Sequence, residues 1–136
     1  MARKSWLTAG LLLACLLAAP ALAQPASQAC QAAVTVATAS GADTQVVAAL
    51  SGTNIFICGI EASSNGTNNF YLESATKTGC GGTVTQVGTE FYTLAGWVKS
   101  VAAYIPGLST GQGNALCVHT TASPALSLTV WYAQHP

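Results

Sequence analysis

Four cysteines, Cys30, Cys58, Cys80 and Cys117, follow an N-terminal stretch that reads as a secretory leader, and together these features restrict the fold more than any others. Arg3 and Lys4 precede an apolar run from Trp6 to Ala19, and the small-x-small tripeptide Ala21-Leu22-Ala23 offers a peptidase its cleavage site before Gln24. Residues 1–23 are therefore expected to be a signal peptide and residues 24–136 a single mature domain. Upstream, Leu12-Leu13-Ala14-Cys15 has the pattern of a lipobox, but the chain stays apolar through Leu16 to Ala23 and ends in the better cleavage site. Export places the four remaining thiols in an oxidising compartment, where an even number implies two disulfides. The expected location is the periplasm, the cell surface or the medium.

Removing 23 of the 136 residues leaves 113, enough for one modest core. That part holds Lys77 and Lys99 against Asp43, Glu61, Glu73 and Glu90, a net charge of −2, and contains no arginine. Nucleic acids and anionic membrane surfaces both require clusters of basic residues, so neither is an expected partner. The 14-residue apolar run of the leader falls short of the roughly 20 residues that span a bilayer, and the mature chain has no longer one.

From Gln31 onward, short runs of Val, Ile, Thr and aromatics alternate with Gly, Asn, Ser and Pro, a pattern of strands and turns with no sustained helical period. Eight strands are expected, near 33–38, 44–50, 54–62, 68–76, 85–93, 97–103, 115–121 and 126–133. In the last, Leu126, Leu128, Val130 and Tyr132 alternate with Ser127, Thr129 and Trp131, as one buried face requires. In the third, Ile55 and Ile57 point one way and Phe56, Cys58 and Ile60 the other, which makes it a central strand. The Asn65-Gly66 pair between the third and fourth strands predicts a hairpin.

Residues 78–83, with Gly79, Gly81 and Gly82 around Cys80, form a loop pinned by its cysteine, and Pro106 to Asn114 reads as a long surface connection. Eight short strands in one domain imply an all-β, two-sheet antiparallel sandwich of jelly-roll type, with an open barrel as the rival. Four cysteines allow three connectivities. The favoured one joins Cys30 to Cys58 and Cys80 to Cys117, because the end of the fourth strand can lie beside the start of the seventh.

The segments Val46 to Gly52, Ile55 to Ile60, Gly79 to Thr83, Gly113 to Val118 and Val130 to Gln134 together span nearly all of the expected mature chain. In that order they resemble a group of small β-sandwich proteins found among phage, prophage and environmental sequences. It implies a virion-associated or structural role with no activity attached. The leader lies outside it.

Catalytic and metal-binding patterns are weak. Cys117 and His119 share a strand face and could reach zinc together with Cys58 or Cys80, but export accounts for the cysteines as disulfides, so no metal is expected. No Gly-x-Ser-x-Gly elbow occurs, His135 is penultimate, and nothing in the spacing brings two of the four acids together. Gly111-Gln112-Gly113-Asn114 lacks the lysine and helix of a phosphate cradle, and no cofactor is expected.

Trp97, Tyr104 and Trp131 are the candidate contact surface, since exposed aromatics mark interfaces. The expected function is that of an exported, non-catalytic structural or surface protein that associates with copies of itself or with a larger cell-surface or virion assembly. The alternative is a small lectin-like module that stacks a glycan on Trp97 or Trp131.

Overall fold

A computed structural model of the chain describes residues 30–38, 41–96, 98–102, 108–121 and 125–136. The leader, Cys15, Trp97 and Tyr104 lie outside the described residues. Eight strands follow in order: β1 Ala32–Ala37, β2 Asp43–Val47, β3 Asn54–Ser64, β4 Asn68–Ala75, β5 Val84–Thr93, β6 Val98–Ala102, β7 Ala115–Thr120 and β8 Leu126–His135. A single 3-10 turn, Thr78–Cys80, separates β4 from β5.

The strands form two antiparallel four-stranded sheets, ordered β1-β8-β3-β6 and β2-β7-β4-β5. Strand pairs nest, with β4 against β5 at the centre and β1 against β8 at the outside, which is the strand order of an eight-stranded jelly roll. The alternation of apolar residues supplies the reason. Each strand has one face to bury, and only a second sheet can bury it.

Between the sheets lies one core. Ile55, Ile57, Ile60 and Ala62 of β3 and Leu126, Leu128 and Val130 of β8 meet Phe70 and Leu72 of β4 and Leu116 and Val118 of β7, all essentially inaccessible to water. Each such aliphatic or aromatic side chain contributes about 1.5–3 kcal/mol by leaving water. Phe70 and Phe91 stack across β4 and β5 with ring centroids 5.2 Å apart.

Three features depart from strict alternation. In β3 the pairing with β8 passes from Ile57–Tyr132 to Gly59–Trp131, so Cys58 is an inserted residue, and the bulge turns Ile60 onto the same inner face as Ile55 and Ile57. Ile60 is therefore not on the Cys58 face, as simple alternation predicts. In β2 a register shift past Val46 buries both Val46 and Val47. In β5, residues 88–90 face Tyr71 alone, and Gly88 makes this possible with φ +81° and Leu108 against its α-carbon.

The hairpin predicted at Asn65-Gly66 does not form. β3 lies in the first sheet and β4 in the second, so residues 65–67 cross between layers. A two-residue reversal needs positive φ, and Gly66 does not adopt it; its N–H donates to Ser64 Oγ at 3.3 Å instead. The hairpin comes one link later, between β4 and β5, where Gly79, Cys80 and Gly82 do take positive φ.

The segment 108–114 is more than a surface connection. Ile57 N–H donates to Leu108 O and Thr110 N–H to Ile55 O, both at 3.0 Å, so this segment continues the edge of β3 where β6 leaves it. Its far end joins the second sheet through Ser74 Oγ, which accepts from Gly111 N–H at 3.1 Å and Asn114 Nδ2 at 3.0 Å.

Candidate functional site

The two disulfides are those favoured from the sequence, Cys30–Cys58 and Cys80–Cys117, with Cα–Cα distances of 6.0 and 5.9 Å. Each stays within one sheet. Cys30–Cys58 joins the residue ahead of β1 to β3, which are separated by β8, and Cys80–Cys117 ties the β4–β5 loop to β7. With all four sulfurs paired, a zinc site built on Cys117 with Cys58 or Cys80 is ruled out.

On the outer side of the first sheet, Trp131 stands in the register row Ala33, Trp131, Gly59. Its direct register partners offer a methyl group and a hydrogen, and it stays 37% exposed. The next rows hold Thr35, Thr129 and Glu61, then Ala37, Ser127, Ser63 and Val98. Thr35 and Thr129 share a hydroxyl hydrogen bond of 2.8 Å. The residues of these rows are small, and Glu61 is the one ionisable group in them.

The outer side of the second sheet differs because the β4–β5 loop folds over it. Thr76 N–H bonds Thr83 O at 3.1 Å, Lys77 N–H bonds Gly81 O at 3.1 Å, and Gly79 N–H donates to Gln45 Oε1 at 2.6 Å. Under this flap Ala75, Ala115, Cys80 and Cys117 form a second apolar cluster, flanked by Ala49 and Val84. The ionisable residues gather beside the flap.

Asp43, His119 and Tyr71 occupy one register row across β2, β7 and β4, and Gln45, Cys117 and Glu73 occupy a row two residues along. Asp43 Oδ1 bonds His119 Nδ1, and the His119 ring stacks on Tyr71 with centroids 4.9 Å apart. Glu73 shares its row with the disulfide-bearing Cys117, which leaves it only 7% exposed, and its Oε2 is buried without a hydrogen-bond partner. One donor atom from each of Asp43, Glu73 and His119 lies within 4.8 Å of the other two.

Burial holds the Glu73 carboxyl above its ordinary value; the charge of Asp43 adds to the rise, and His119 opposes it. The Tyr71 hydroxyl is also raised, by desolvation first and then by Glu73, Asp43 and Glu90.

This cluster corrects the expectation that the acids are scattered. His119, held by Asp43 and Tyr71, is the middle of three ionisable groups drawn from three strands. Spacing along the chain hides it, since Asp43 and His119 meet over 76 residues. The signal available in the sequence was partial: Tyr71 with Glu73, and Cys117 with His119, sit two apart on two strands, and only the order β2-β7-β4 brings those pairs together. Among the described residues no helix is long and apolar enough to cross a membrane. In comparisons with known proteins, no family model matches the chain, and no curated protein matches it in sequence.

Proposed function

We propose that the chain is an exported, non-catalytic structural or surface module, which assembles through the outer face of its first sheet with copies of itself or with a larger cell-surface or virion assembly. Trp131 carries the reading. A large aromatic in rows of Ala, Gly, Ser and Thr, with Glu61 the one charge in the surrounding rows, loses little on desolvation and gains the burial of an indole when a partner covers it. The two disulfides fit an oxidising, extracellular environment. Jelly rolls recur in capsid and lectin domains, an analogy at the level of fold alone.

The same tryptophan supports a second reading, a lectin-like module in which Trp131 stacks against a sugar ring. Size-exclusion chromatography with light scattering on the oxidised chain separates the two. Multimers that revert to monomers in Trp131→Ser support assembly, while a monomer retained on polysaccharide only when Trp131 is present supports glycan binding. A monomer that ignores polysaccharide and is indifferent to Trp131→Ser refutes both.

A further inference from the structure

Glu73 poses a physical problem that the contact surface does not solve. A carboxyl oxygen buried without a partner costs several kcal/mol if ionised, and natural structures retain such groups where something pairs with them. The ionisable groups around it are another acid, Asp43, and an imidazole whose Nδ1 that acid already holds. The chain's described lysine side chain, Lys77, makes no ion pair with it.

We propose that Asp43, Glu73 and His119 bind one divalent transition-metal ion of the zinc class on the outer face of the second sheet. One imidazole with two carboxylates is a donor set suited to zinc and its neighbours, whereas magnesium and calcium prefer oxygen alone. The three donors lie within 4.8 Å of one another. An ion at about 2.0–2.2 Å from each donor spaces them about 3–4 Å apart, so relative side-chain shifts of about 1–2 Å form the site, with the Asp43–His119 hydrogen bond opening to admit the ion.

The frame is stiff where a site needs it to be. The donors come from three adjacent strands, Tyr71 stacks on the His119 ring, and the Cys80–Cys117 bridge sits in the row of Glu73. Three protein donors leave the outward coordination positions to water or to a ligand group from a partner. The second sheet thereby gains a site distinct from the tryptophan face of the first.

Isothermal titration of the chelator-stripped, oxidised chain with zinc chloride tests the assignment. The expected result is one ion per chain, with affinity weakened at least about tenfold in Glu73→Gln and in Asp43→Asn, unchanged in Glu61→Gln and His135→Ala, and no comparable response to magnesium. Asp43 is a partly exposed strand residue, so its variant reports on the site even if the buried Glu73→Gln folds poorly. As a second readout, zinc raises the melting temperature of the parent chain and not of Asp43→Asn. No saturable binding below about 1 mM, or binding that both variants retain in full, overturns the proposal.

Discussion

Removing the two disulfides one at a time should expose an inequality that chain entropy alone does not predict. Cys80–Cys117 closes 37 residues and Cys30–Cys58 closes 28; restricting the unfolded chain over these lengths is worth about 3.8 and about 3.6 kcal/mol, nearly the same. The surroundings break the tie. Cys80 and Cys117 are both buried and form half of the apolar cluster under the β4–β5 flap, whereas Cys30 is exposed and only Cys58 is covered. Replacing the first pair by alanine removes two packed sulfurs from that cluster, adding about 1–2 kcal/mol of lost contact and cavity. Urea unfolding of Cys80→Ala/Cys117→Ala should therefore show a loss near 5 kcal/mol, against about 4 kcal/mol for Cys30→Ala/Cys58→Ala, where only the Cys58 sulfur is packed. Limited thiol treatment followed by alkylation and mass analysis should label Cys30 and Cys58 first, because Cys30 is the exposed residue of the two bridges. Equal losses, or earlier opening of Cys80–Cys117, would show that burial does not distinguish the bridges.

Four further changes probe the frame. Gly88→Ala forces a β-carbon into left-handed backbone at φ +81° and 2.7 Å from Leu108 Cδ1, and should lower unfolding stability by about 1–3 kcal/mol. Ser74→Ala strips the shared acceptor from Gly111 N–H and Asn114 Nδ2, and should cost about 1–3 kcal/mol in the same assay and speed amide exchange in 108–114. Leu128→Ala, in a core position with no access to water, should cost about 2.7–5 kcal/mol. Finally, Glu73 has a folded-state value raised above its ordinary 4.5, so in metal-free protein the native state keeps a proton that the unfolded chain releases. Its contribution is most favourable below that ordinary value and is lost as pH rises towards the raised one; Glu73→Gln should flatten this fall in pH-dependent melting.

How much of this was legible in the sequence depended on the range of the interaction. All eight strands are local signals, and the Leu126–Leu128–Val130 stripe with Trp131 on the opposite face follows directly from period-two alternation. The disulfide pairing was legible for a related reason: the end of β4 does lie beside the start of β7, where Ala75 pairs with Ala115. Bulges were not legible. The inserted Cys58 carries no turn residue's signature, yet it decides which face Ile60 occupies. Asn65-Gly66 misled because positive φ is available to glycine without being required of it, and here a crossing between layers needed none. The ionisable cluster was the least accessible, because it depends on the order in which strands distant in the chain pair.

That pairing also explains why one small domain can keep two unlike faces. In a jelly roll, every link between consecutive strands here except β4–β5 crosses from one sheet to the other, so only the β4–β5 hairpin loop can fold back over its own sheet. It does so on the second sheet, where its disulfide and Gln45 hold it down and its bulk buries Glu73 beside Asp43 and His119. The described rows of the first sheet carry no such flap and keep Trp131 open. Three of the four acids of the chain, Asp43, Glu73 and Glu90, lie on the second sheet and one, Glu61, on the first. The association proposed through Trp131 would bury the weakly charged side and turn outward the side that carries Asp43 and Glu90, where like-charge repulsion opposes stacking. Self-association through the first sheet should accordingly stop at pairs at low ionic strength and extend further only when salt or a bound cation screens the second; filaments of unlimited length in salt-free buffer would contradict this order of events.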